Sequence, residues 1–175
     1  MSNKFGKTKK QLYFCTLKFY TMGLDMYLTK KTYVKNWEHY PDENKFTISV
    51  KRGGKKFDDI QTKRVSYIVE EVMYWRKFNA LHAWFVNECQ DGNDDCKDYY
   101  VDDEKLVELL GILKQIDKDH SKADELLPTA EGFFFGTSIY DEWYYNDVKN
   151  TIKMLEDEMD EDSTFGGEYY YRSSW

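Results

Sequence analysis

"VEEVMYWRKFNALHAWFV", residues 69–86, is the stretch on which the reading of the fold turns. At about 100° of rotation per residue, Val65, Val69, Val72 and Ala83 gather on one side of a helix, with Ile68 and Val86 at its edge. The spacing predicts one long amphipathic helix over residues 62–88, with Thr62 as its N-cap. Arg76 then falls near the centre of the apolar stripe, with Asn79 beside it one turn on. A guanidinium inside a core is costly unless it is paired. Three readings stay open. Arg76 extends past the helix edge to solvent or a surface acid, it forms a buried ion pair with Asp25, Asp141 or Glu142, or it faces a bound anion.

Outward from this segment the chain reads as alternating strands and helices. "LDMYLTKKTYV", residues 24–34, alternates around Leu24, Met26 and Leu28 as a half-buried strand does, and "KFTISVKR", 45–52, is β-branched and turned by Gly53 and Gly54. These two are expected to pair antiparallel, with a loop around Pro41 and Asp42 between them. "DYYV" at 98–101 reads as a short strand, and Asp102 or Asp103 caps a helix whose Leu106, Leu109, Leu110 and Leu113 form a core stripe. "GFFFGTS", 132–138, reads as a buried strand. A third helix is expected from Ser138, with Ser138 and Asp141 as a capping box and Tyr144, Val148, Ile152, Leu155 and Met159 as its apolar face. "TFGGEYYYRSSW" adds a last aromatic strand. The fold class that results is α+β: one domain over residues 22–175, about three helices on a small, mostly antiparallel sheet.

Composition limits what such a domain can be. The 175 residues are 41% hydrophobic and 18% aromatic, enough for a sizeable single core. Every apolar run is interrupted by Lys, Asp or Glu, so no membrane span is expected. Cys15, Cys89 and Cys96 form no CxxC and lie at no zinc-ligand spacing, which suits a reducing, cytoplasmic setting. The net charge of −7 divides unevenly: residues 1–66 carry 15 Lys or Arg against 6 Asp or Glu, and residues 67–175 carry 10 against 26. An acidic C-terminal half repels nucleic acid and attracts basic protein surfaces, so direct nucleic-acid binding is not expected. Residues 1–21 hold five lysines and no acid. They read as a basic extension ahead of an alternative start at Met22.

Chemistry is sparse in the pattern. The acids of "QDGNDD", 90–95, miss the alternate spacing of a calcium loop. His82 and Cys89 lie two helical turns apart on the expected helix, which allows a Cys and His pair in principle. There is no P-loop, nucleophile elbow or dinucleotide fingerprint, and no cofactor or metal is expected. Two binding surfaces remain. One is a pocket for an anionic small molecule or nucleotide, built from Arg76, Asn79 and Trp75 with the turn at Thr137 and Ser138. The other is an acidic, aromatic-rich partner surface: Glu156, Asp157, Glu158, Asp160, Glu161 and Asp162 with Tyr169, Tyr170 and Tyr171.

The blocks "MGLDMYLTKKTYVKNW", "YIVEEVMYWRKFNALHAWFV" with "QDGNDDCKDYYV", and "LLPTAEGFFFGTSIYDEWYYNDVKNTI" resemble the hallmark blocks of a family of small proteins found in bacteriophages, prophages and their hosts. The likeness covers most of residues 22–155 and leaves residues 1–21 outside the pattern. It brings no catalytic residues with it. A phage setting implies a non-enzymatic accessory protein that binds a host protein, for example one that handles nucleic acid or serves host defence.

Overall fold

Residues 25–28 alternate partly exposed and buried side chains, with Met26 and Leu28 inward, and residues 29–33 continue the same strand half-exposed. The computed structural model describes residues 23–131, 138–159 and 167–175. Strand β1, Asp25–Tyr33, pairs antiparallel on one side with β4, Tyr67–Arg76, and on the other with the C-terminal strand β6, Glu168–Ser174. β5, Tyr99–Val101, adds to the far side of β6, giving the order β4-β1-β6-β5, with every pairing antiparallel. A separate two-stranded hairpin joins β2, Lys51–Arg52, to β3, Lys55–Lys56. The helices are α1, Asn79–Cys89; α2, Asp103–Lys118; the single turn α3, Ala123–Leu126; and α4, Glu142–Glu158. The architecture is a single α+β domain, as the sequence implies.

The decisive stretch is not one helix. Residues 67–76 are the strand β4, and only residues 79–89 are helical. Tyr67, Ile68, Val69, Val72, Tyr74 and Trp75 are β-branched or aromatic, types that lose rotamer freedom in a helix and pack well on a pleated surface. The helical appearance arises from an irregularity. The β1–β4 register slips between Leu28 and Thr29, opposite Met73 and Glu71, so Val72 is an extra residue in the ladder. The bulge inverts the phase of the strand, and its period of two disappears from the sequence. Thr62, expected as the cap, begins a short 3₁₀ turn, Thr62–Arg64.

Other expectations are corrected by the same sheet. Residues 45–50 form no strand, and β1 is unavailable to them because β4 and β6 occupy both its edges. The Gly53–Gly54 turn does form, with both residues at left-handed φ. Asp102 is the cap of α2, accepting from the Glu104 N–H at 2.9 Å. The third expected helix starts at Glu142 and not at Ser138: Asp141 itself is the cap and accepts from the Tyr144 N–H at 3.0 Å. The expected strand over 132–138 lies outside the described residues except for Ser138, which is exposed and in no strand, and the extension 1–21 lies wholly outside them.

The core lies between one face of the sheet and the helices. Met26 and Leu28 from β1, Met73 and Trp75 from β4, Tyr169 and Tyr171 from β6 and Val101 from β5 all point inward and are buried. Leu106, Leu109, Leu113 and Ile116 of α2 meet them, as do Val148 and Leu155 of α4. The Phe85 ring stacks on Tyr171 with centroids 4.0 Å apart. His82 is buried beneath, with Nδ1 2.8 Å from the Tyr171 hydroxyl and Nε2 3.1 Å from Asp94 Oδ2. That pair of bonds ties α1, the 90–95 loop and β6 together. Among the described residues no helix is long and apolar enough to cross a membrane.

Candidate functional site

Because residues 67–76 form a strand, Arg76 has no place in an apolar stripe. Trp75 turns inward and Arg76 outward, so the guanidinium lies on the outer face at the end of β4, with its Nε 3.9 Å from Asp25 Oδ1 on the adjacent strand. Of the three readings of Arg76, pairing with a surface acid is the one seen, and the acid is Asp25. Tyr74 donates to the same carboxylate, and that hydrogen bond, more than partial burial, pushes the phenol up to about 12.

The chain then turns sharply. Lys77 takes φ of +60°, a left-handed conformation uncommon for a residue with a Cβ, held by its N–H donating to the Leu24 carbonyl at 2.8 Å. β4 is an edge strand, and α4 packs beside it. A cleft of about 920 Å³ opens between them, within the usual range for small-molecule sites. From β4 it is lined by Tyr74, Arg76 and Lys77, with the edge of Trp75. From α4 it takes Trp143, Asp147, Asn150, Met154 and Asp157, which recur every three or four residues and so share one helix face; Asp141 and Lys153 flank them.

The electrostatics of this cleft are mixed and incompletely compensated. Among the described residues neither Lys77 nor Lys153 meets a carboxylate. The Asp147 carboxyl is half-buried beside them. Burial, helped by the nearby negative charge of Asp141, pushes it up to about 6. Trp143 is 78% exposed, so its indole face is open to a planar ligand. The cleft therefore combines a carboxyl held above its ordinary range by burial, two lysines that meet no carboxylate among the described residues, and an exposed indole.

The residues expected to form a pocket are only partly brought together. Arg76 lines the cleft, but the Trp75 indole is buried in the core and donates to Thr151 Oγ1 at 2.8 Å, so it cannot stack on a ligand. Asn79 is buried at the start of α1, where its Oδ1 accepts from the Ala130 N–H at 3.4 Å. It borders a smaller adjoining hollow that shares Lys77, Asp141, Trp143 and Asp147 with the main cleft. Ser138 is exposed outside the cleft, its carbonyl accepting from Thr129 Oγ1, and Thr137 lies outside the described residues.

The acidic, aromatic surface is divided by the fold. Tyr169 and Tyr171 are fully buried because they fall on the inner face of β6, so they are core residues and not partner contacts. Glu158 is turned inward, accepting from both Lys30 Nζ at 2.8 Å and the Tyr169 hydroxyl at 2.7 Å. Glu156 is exposed and pairs with Lys114 at 2.6 Å, whereas Asp157 lines the cleft. Tyr170 remains on the outer sheet face, and Asp160, Glu161 and Asp162 lie outside the described residues. The Cys89 and His82 pairing does not form. Burial pushes the Cys89 thiol up to about 11, away from a reactive thiolate, and His82 is engaged by Tyr171 and Asp94.

Lys77, Trp143, Asp147 and Lys153 were not legible as a set. A polar stripe at 143, 147, 150 and 157, beside the apolar face of the same helix, is a signal that would have pointed to α4. The strand facing that stripe was hidden by the bulge. Comparisons with protein-family models, with curated proteins and with solved structures found no match for the chain.

Proposed function

We propose that the protein binds a ring-bearing anion of roughly nucleotide size in the cleft between β4 and α4. The observation that carries this is the convergence, in one cleft, of Arg76, Lys77 and Lys153 with the open indole of Trp143 and the half-buried Asp147 carboxyl one turn along the same helix. The cations would hold a phosphate or carboxylate, Arg76 with the planar fork of its guanidinium. Trp143 would stack on the ring, and Asp147 would accept from a ring amine. Binding is the whole of the proposed activity; no nucleophile with an adjacent base accompanies these residues among those described.

A thermal-shift series with nucleoside mono- and diphosphates at pH 7 tests it. A ligand at 100 times its Kd stabilises the fold by about 2.7 kcal/mol, a clear rise in the melting midpoint. Arg76→Ala should abolish the rise while the variant keeps a single cooperative thermal transition. No shift with any ring-bearing anion at millimolar concentration would end this reading.

A second reading, binding of a partner protein, is favoured by a different observation. Tyr27, Tyr33, Tyr67, Tyr74, Tyr100 and Tyr170 share the outer face of the sheet, which no described helix covers, with Lys31 and Arg172 seated over the Tyr67 and Tyr27 rings. Tyrosine is enriched in interface cores. On this reading the accessory role expected from the phage-like blocks is exercised by the sheet face, in place of the acidic helix end. Loss of a captured host protein on Tyr100→Ala with Tyr170→Ala, with retention on Arg76→Ala, would favour it over the cleft.

A further inference from the structure

The densest run of like charge among the described residues lies outside the cleft. Between Val34 and Met73 no residue is buried. The chain leaves the body where the Val34 N–H donates to the Ser66 carbonyl at 2.9 Å, and the intervening excursion carries the β2–β3 hairpin, "KRGGKK". Lys51 stands opposite Lys56, and Arg52 opposite Lys55. Like charges directly opposite on neighbouring strands oppose pairing, so both rungs of this hairpin work against its own stability. All four side chains are exposed. Lys56 pairs with Asp58 at 2.7 Å, and Arg52 lies over the Phe57 ring at 5.9 Å. Lys51, Arg52 and Lys55 meet no carboxylate among the described residues. The turn is compatible with close approach to a partner: Gly53 and Gly54 have φ of +59° and +79°, and nothing lies within 4 Å of where a Cβ would stand on either.

We infer that this hairpin is a finger for the phosphate backbone of double-stranded DNA. A polyanion supplies what the hairpin lacks, because phosphates on either side of the ribbon neutralise both like-charged rungs at once. The shape fits a duplex, since the major groove of B-DNA admits a two-stranded β-ribbon. The interactions are lysine and arginine to phosphate, which position a protein without reading sequence. The acidic C-terminal half argues against nucleic-acid binding by the molecule as a whole, but the hairpin lies outside that half and carries four cations and no acid. Residues 67–175 carry 10 Lys or Arg against 26 Asp or Glu, and all the described helices longer than one 3₁₀ turn lie within them, so the body is repelled and the hairpin is the part that can approach.

Fluorescence anisotropy of a labelled short DNA duplex, titrated with the full chain over a salt series, tests this. Binding is expected at low salt and should fall steeply as salt rises. Replacing Lys51, Arg52, Lys55 and Lys56 together with Ala should flatten the plot of log affinity against log salt by up to about 3.6, at about 0.9 for each phosphate left without its cation. A single Lys55→Glu change is the control for folding. It converts one like-charged rung into an attractive pair, so the melting midpoint should hold or rise while duplex affinity falls at least tenfold. Arg76→Ala should leave the slope unchanged. The inference is overturned if no duplex is bound at low salt, if the quadruple variant keeps the wild-type slope, if single-stranded DNA binds as tightly as duplex, or if phosphatidylserine vesicles are bound and duplex is not.

Discussion

Asp147 shows how much of a site can depend on one side chain's surroundings. Its carboxyl is half-withdrawn from water between α4 and β4 and faces Asp141, so the charged form is disfavoured in the folded protein. The folded value, about 6, lies above the ordinary 3.8. Between those two pH values the folded state therefore binds more protons than the unfolded state, and stability falls as pH rises. The contribution is fully present below about pH 4 and is lost as pH passes through about 6, after which the desolvated charge is a standing cost. Asp147→Asn removes the charge and keeps the shape. Urea unfolding should show the variant more stable than wild type at pH 8 and indistinguishable from it at pH 4; equal effects at both pH values would show that the carboxyl is not desolvated. Arg76 is the complementary case. A charge at an apolar position marks it in the sequence, but that apolar position belongs to a helix that residues 67–76 do not form, and its carboxylate is on the adjacent strand.

At the scale of elements, what sets the sheet is how closely its strands approach. β6 begins just after Gly167, where a Cβ would come within 3.0 Å of Lys30 Cγ and 3.1 Å of both the Lys31 carbonyl oxygen and Thr32 Oγ1. A lysine side chain can move aside, whereas the carbonyl belongs to the central strand and cannot. Gly167→Ala should destabilise the protein by about 1–3 kcal/mol, read as a lower denaturant midpoint at unchanged slope. The strand β1 and the helix α2 were legible because their periods are unbroken: Met26 and Leu28 alternate, and Leu106, Leu109 and Leu113 recur at helical spacing. β4 was not legible, because the extra residue at Val72 shifts its alternation by one and leaves valines at positions a helix would also choose.

For the whole molecule, chain order and spatial order differ. The last strand in sequence, β6, lies between β1 and β5, and its Tyr169 and Tyr171 are among the largest fully buried side chains. Removing residues 168–175 should therefore do more than trim an edge. It exposes the inner ladder of β1, empties two tyrosine-sized volumes and takes the Tyr171 hydroxyl from His82, so the truncated chain should lose its cooperative thermal transition by circular dichroism; a sharp transition retained would contradict this topology. The same arrangement separates like charges in space, with the four cations of the β2–β3 hairpin on the excursion between Val34 and Met73 and most of the described acids on the helical body, which a single net figure conceals.

The sequence by itself determined the fold class, the positions of β1, α2 and the final aromatic strand, and the existence of the helix α4 with its apolar face. These follow from local periodicity and capping, which each segment carries in its own residues. Only the tertiary structure decided that residues 67–76 extend, that Asp25 is the carboxylate at Arg76, that Trp75, Tyr169 and Tyr171 face inward, and that α4 and β4 enclose a cleft around Asp147. Each of these depends on which face of a strand or helix meets another element. A strand's faces exchange with a single-residue change of phase, and only the packed partner fixes that phase.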